Sequence, residues 1–282
     1  MMARVLTIAV AAAALLASEA EARPPIWRVR DGDTTIVLFG SMHALPKDTE
    51  WRTPEFDAAV ARAQELWFEF PSPVAAGIAD AYAKAYAALP KPAAKTSELL
   101  SPEGRDLAVA AFGSLAAVDA WPPSALLTEL SRRYWAKVGA AVKYGVETYV
   151  QAKAPPERQH AFGSPAEHLA LGAGAPLERQ IAELEAYLRA PNDPEPMRKS
   201  MEAWLSGDVD ALEREAGQRM RDASPGAYDR IVTQRNRAWA GQIEAMLGRP
   251  GEMVVIVGAG HMTGPDGLPA LLRAHGLTVE GP

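Results

Sequence analysis

The 282-residue chain carries 35 acidic against 29 basic side chains, a formal net charge of −6, and has no cysteine. Disulfides, a thiolate metal centre and a cysteine nucleophile are thereby excluded, so stability has to come from a buried core. The mild acidity and the lack of any Lys/Arg-rich block remove the electrostatic footprint of a nucleic-acid binder, and no nucleic acid is expected as a partner.

The opening MMARVLTIAVAAAALLASEAEARPP runs from Arg4 through an apolar stretch, Val5 to Ala17, to small residues ending at Ala20-Glu21-Ala22. This is the three-part order of a cleavable secretory signal, and the apolar run falls short of the ~20 residues a membrane span needs. The sequence therefore predicts a signal peptide over 1–22, a single domain over 23–282, a periplasmic location, and no membrane attachment after cleavage.

Ile26–Val29 and Thr34–Phe39 flank Asp31-Gly32-Asp33, turn chemistry that joins two paired strands. The second strand leads into Gly40-Ser41-Met42-His43, which puts His43 on the loop just past a strand end. A helix follows over Pro54–Gln64, with Thr53 as N-cap and Pro54 in the first turn. Leu66-Trp67-Phe68-Glu69-Phe70, closed by Pro71, reads as a buried strand interrupted by one carboxylate.

From Val74 to Leu247, Ala, Leu, Glu and Arg at helical spacing are broken by Pro and Gly clusters near 90, 102, 122, 155, 164, 172, 191 and 225, which predicts roughly eight helices. The longest, Ala227 to Leu247, carries Ile231, Ala238, Trp239, Ile243, Met246 and Leu247 on one side. Met253–Val257 is then a buried strand leading into Gly258-Ala259-Gly260-His261, Asp266–His275 a helix, and Leu277–Glu280 a last strand. The fold class is α/β (α+β), a small central β-sheet built from N- and C-terminal strands with a large, mostly helical insert between them.

Two Gly-x-x-His loops at opposite ends of the chain, each behind a predicted strand, would lie side by side if those strands were neighbours in one sheet. Glu69 is the third candidate, because an ionised carboxylate in apolar surroundings needs a cation or strong donors: an Arg in a structural pair, or a metal shared with His43 and His261. Glu147, at the start of a helix, and Arg235-Asn236, on the long helix, are further candidates. The competing reading is a favourable charge at a helix end for Glu147 and a solvated surface position for Arg235-Asn236. His160, His168 and His275 read as surface residues, and the seven scattered tryptophans as core.

WRVRDGDTTIVLFGSMHALP, LWFEF, YGVETYVQAKA and TQRNRAWAGQIEAMLGRPGEMVVIVGAGHMTGPDGLPALLRAHGLTVE together resemble the TraB/GumN-like proteins, which are related to the Tiki metalloproteases and, more distantly, to the erythromycin-esterase and ChaN-like folds. The last block is the most specific, pairing Arg-Asn-x-x-Trp with Gly-x-x-His and Gly-Pro-Asp-Gly. The resemblance implies an α/β core with a helical insert, facing Gly-x-x-His motifs and a metal-assisted hydrolytic centre. It falls on His43, Glu69 and His261, and by position also on Glu147, Arg235 and Asn236. In one place the chain departs from the family's Leu-Glu-Thr stretch: Ser164 stands where the Glu is expected, with Glu167 close by.

The expected function is a metal-dependent hydrolase, with peptides or small molecules as substrate. His43, Glu69 and His261 would hold a divalent ion, Glu69 or the ion would activate water, Arg235 would stabilise developing negative charge, and Glu147 and Asn236 would bind substrate. Histidine and carboxylate ligands accept zinc, manganese, iron or cobalt, and the resemblance favours manganese or cobalt. The alternative is a non-catalytic periplasmic protein that binds a metal or ligand in the same pocket.

Overall fold

The computed structural model describes residues 22–71, 79–88, 94–190 and 193–282. Apart from Ala22, the expected signal segment lies outside these residues, as do the breaks near 90 and 191. Strands β1 (Ile26–Asp31) and β2 (Thr34–Ser41) form the expected hairpin, with Gly32 at φ 55° in the turn. The remaining strands are β3 (Leu45–Pro46), β4 (Glu65–Phe68), β5 (Ala140–Ala141), β6 (Gln159–Ala161), β7 (Gly251–Gly258) and β8 (Val279–Glu280).

Six of them make one sheet in the order β6-β4-β7-β2-β1-β8, while β3 and β5 pair separately. The strands β2, β7, β4 and β6 are parallel, with Ser41 opposite Gly258 and Phe68 opposite Ile256. Their carboxyl ends therefore share one sheet edge, the place where open α/β sheets bind ligands. Side chains alternate between two cores. Val37, Phe39, Phe68, Val254 and Ile256 pack with Trp51, Phe56 and Trp204 on one face. Ile36, Leu38, Val255 and Val257 pack with Trp239, Ile243 and Leu272 on the other. Burial on both faces explains why β7 reads as an unbroken apolar run.

Thr53 caps the Pro54–Arg62 helix by accepting from Phe56 N–H, as its sequence predicts. Four expectations shift. β4 ends at Phe68, so Glu69 lies just past the strand instead of inside it. The insert supplies the edge strand β6, too short to stand out against helical surroundings. The insert is also more finely divided than its Pro and Gly breaks indicate, since π-helical turns occupy Glu213–Gln218 and Asp229–Thr233, the second of them inside the helix expected over Ala227–Leu247. On the Gln234–Leu247 helix the buried face holds Asn236, Trp239, Ala240, Ile243, Met246 and Leu247, while Ala238 is exposed. Among the described residues no helix is long and apolar enough to cross a membrane.

Candidate active site

His43, Glu69 and His261 each follow the carboxyl end of a parallel strand, β2, β4 and β7, and these three strands are neighbours in the order β4-β7-β2. The sheet thus gathers residues that lie over two hundred positions apart. Gly258, the last residue of β7, lets them close in: a Cβ there would stand 2.7 Å from His43 Nε2 and 3.1 Å from Glu69 Oε1.

His43 Nδ1 lies 2.7 Å from Glu147 Oε1, and Ser41 donates to the same oxygen from its hydroxyl. Nε2 of His43 lies 3.5 Å from Glu69 Oε1. Attraction to Glu147 outweighs burial and raises the ring's pKa to about 9, although the side chain is 53 % exposed. Glu147 sits in the first turn of the Val146–Lys153 helix, where its charge is also favoured by the helix N-terminus. Its second oxygen, Oε2, is buried and has no hydrogen-bond partner among the described residues.

His261 is buried and held by its neighbour on the long helix. Asn236 donates Nδ2–H to the carbonyls of His261 (3.1 Å) and Asp266 (2.7 Å), which fixes its amide so that Oδ1 faces His261 Nδ1 at 2.7 Å. Nδ1 is then the protonated nitrogen, and Nε2 presents a lone pair to the site. Burial lowers the pKa of His261 to about 4, so the ring is neutral. Asn236 itself is fully buried. Full burial keeps its side chain from reaching a substrate, against the expectation that it binds one.

Glu69 accepts from Gly258 N–H (2.6 Å) on Oε1 and from Arg235 Nη2 (2.6 Å) on Oε2. Burial opposes its charge, but His261, His43, Arg235 and the Gly258 amide together pull its pKa well below the usual carboxylate range. Arg235 is the one of these that is cationic at every relevant pH. Its Nη1 lies 3.3 Å from His261 Nε2 and also donates to Ile231 O, inside the second π turn. The guanidinium lies against the rings of Phe70 and Trp239, at 4.8 and 4.3 Å. Glu69 is thus paired with Arg235 and also close to both histidines.

Among the described residues no three His, Asp or Glu side chains form a ready-made metal cage. The donor set nonetheless fits a divalent ion. Both Nε2 atoms approach the same Glu69 oxygen, at 3.5 and 3.7 Å. That is near the spacing of about 3.4 Å between tetrahedral ligands that each bond an ion at about 2.1 Å. Each ring is also anchored from behind through Nδ1, as metal-bound imidazoles usually are.

The residues missed from sequence are Ser41, which bonds Glu147, and Phe70 with His168, whose rings stack at 4.2 Å beside Arg235. His168 is exposed by area but lies near enough to Glu69, Arg235 and His43 for their charges to act on it, and burial of the ring lowers its pKa. His160 stacks on Trp67, and His275 pairs with Glu244, both away from the site. Ser164 caps the Pro165–Ala173 helix by accepting from Glu167 N–H, and Glu167 accepts from Ser164 N–H in return. Glu167 is therefore committed to a capping box, not to the site.

A cavity of about 830 Å³ begins at His43, Gly258 and His261 and extends beneath the helical insert. Fold and site define an α/β protein whose parallel strands deliver two Gly-x-x-His loops to one cavity and set a carboxylate beside them, where an arginine from the long helix pairs with it. The chain belongs to the TraB/PrgY/gumN family, whose model matches residues 25–281. Neither the curated proteins nor the solved structures gave a match.

Proposed function

We propose that this chain is a hydrolase of the periplasm, exported on its N-terminal signal, with peptides, esters or related acyl compounds as its substrate class. The observation that supports this reading is the approach of two Nε2 atoms, each ring pinned through Nδ1, to one oxygen of Glu69 at the mouth of a cavity. His43, Glu69 and His261 would hold a divalent ion, manganese, cobalt or zinc, which when bound supplies an activated water near neutral pH. Neutral His261 offers a lone pair, Glu69 stays ionised, and Arg235 stands ready to stabilise negative charge on a substrate oxygen. Glu147 orients His43, and Asn236 orients His261.

Arg235 supports a second reading. Its guanidinium already neutralises Glu69 and donates toward His261 Nε2, so the site is charge-balanced without an ion. In that case Nε2 of His261 would exchange the Arg235 contact for a water and take its proton.

The test is turnover of an ester and peptide panel by the mature protein, with each of the three ions and with a chelator. Hydrolysis that falls by about 10³-fold or more in a folded His261→Ala variant is expected. Ion or ligand binding without turnover under any condition would replace the hydrolase with a non-catalytic binding protein.

A further inference from the structure

We propose that the substrate carries a long apolar acyl chain, which the cavity beneath the insert accepts while its carbonyl lies between His43 and His261. The substrate class rests on the hydrolase reading above, whereas occupancy of the cavity by an acyl chain stands on the cavity alone.

The lining is mainly apolar. It includes Met42, Leu130, Trp135, Met197, Met201 and Val232, drawn from the loop after β2, the Pro123–Lys137 and Glu195–Ser206 helices, and the second π turn. At about 830 Å³ it lies within the ~300–1,000 Å³ of small-molecule sites. A cavity of this kind open to a charged centre gains by burying methylenes, each worth about a threefold to fourfold gain in affinity. Methionines on the wall adapt to chains of different shape.

The wall also argues against a peptide as occupant. A peptide brings an N–H and a C=O with every residue, and each needs a partner when buried. Helices and their side chains make up most of this wall, and among the described residues no strand edge runs along it to receive a backbone. An acyl chain asks for nothing but apolar contact. In the reaction the oxygen of water joins the acyl carbon and the bond to the leaving oxygen or nitrogen breaks. A water proton goes to the departing alcohol or amine, so no co-reactant beyond water is required.

The test uses p-nitrophenyl acetate, butyrate, octanoate and dodecanoate with the mature protein, alongside Met197→Trp and Ala110→Leu, two variants that narrow the cavity from the Glu195–Ser206 and Pro102–Phe112 helices. The expected kcat/KM rises at least tenfold from butyrate to octanoate. In either variant that rise is lost, while the acetate rate stays within about twofold of the natural protein. Equal rates at every chain length in all three proteins would overturn the acyl-chain assignment and leave the hydrolase standing. If no ester is turned over, displacement of anilinonaphthalene sulfonate decides. Competition by dodecanoate but not by butyrate upholds the acyl site as a binding site and removes the hydrolase, and competition by neither removes the acyl site.

Discussion

Asn236 accepts a hydrogen bond from Nδ1 of His261 across 2.7 Å, and its amide is held in that orientation by two backbone carbonyls. Asn236→Ala would leave a ring N–H and two carbonyl oxygens unpaired in a buried place. The expected cost is about 2–4 kcal/mol, read as a lower urea midpoint with unchanged slope. Asn236→Asp keeps the acceptor for His261 but turns a second oxygen toward the two carbonyls, so its cost should be at least as large. A midpoint and turnover identical to the natural protein would remove Asn236 from the site.

Arg235 and Glu69 form the buried ion pair of the site, with side chains 13 % and 10 % exposed. Arg235→Met strands a carboxylate and is expected to cost about 3–5 kcal/mol near pH 7. Adding Glu69→Gln should recover part of that loss. The folded pKa of Glu69 is depressed, so its contribution is present above about pH 4.3 and disappears as the pH falls. Without the arginine that depression weakens, so the deficit of Arg235→Met should hold from pH 7 down to about pH 4.3 and narrow as the pH falls further. A deficit that stays constant below about pH 4.3 would contradict the pairing.

His43 makes the opposite statement at the alkaline end. In chelator-treated protein its ring should titrate near 9, held up first by Glu147, and Glu147→Gln should bring it back toward the ordinary value of about 6.5. Because the folded value is the higher one, the stabilisation is complete below about pH 6.5 and is lost as the pH climbs through about 9. An ion that binds His43 must displace this proton, so affinity for manganese should strengthen over the same interval. Ring-carbon NMR shifts and a metal titration at pH 6.5, 8 and 9 measure both.

Two glycines separate the needs of the site from those of the fold. At Gly258 an added methyl meets the tip of His43, a half-exposed side chain able to swing away, and Oε1 of buried Glu69 at 3.1 Å, which must give by a few tenths of an ångström. Gly258→Ala should therefore abolish turnover at a smaller cost in stability than a clash with backbone. At Gly145 the methyl would fall 2.1 Å from the backbone oxygen of His43, which has no such freedom. Gly145→Ala should lower the melting temperature by several degrees, which thermal unfolding of the two variants would show.

The hairpin, the Thr53 cap, β7 and the arrival of both Gly-x-x-His loops at one sheet edge were legible because local signals govern them: turn glycines, a capping threonine and a doubly buried apolar run. Glu69 announced itself as a carboxylate among aromatics. Its need for an arginine or a metal was legible, with Arg235 among the candidates, but which partner it takes depends on how the Gln234–Leu247 helix lies across the strand ends. The cavity was hidden for a similar reason. Met42, Leu130 and Met197 look like core residues one at a time, and only the packing of separate helices leaves space between them. The Glu147 contact with His43 joins the insert to the N-terminal loop across 104 positions, beyond the reach of any periodicity.

Metal content is the most direct measure of whether His43, Glu69 and His261 act as one centre. Elemental mass spectrometry of the purified protein, compared with the His43→Ala/His261→Ala double variant, provides it. A near-stoichiometric ion in the natural chain, lost in the variant while circular dichroism is unchanged, is the predicted result. An ion in neither protein, even after addition of manganese, cobalt and zinc, would contradict the metal-dependent account.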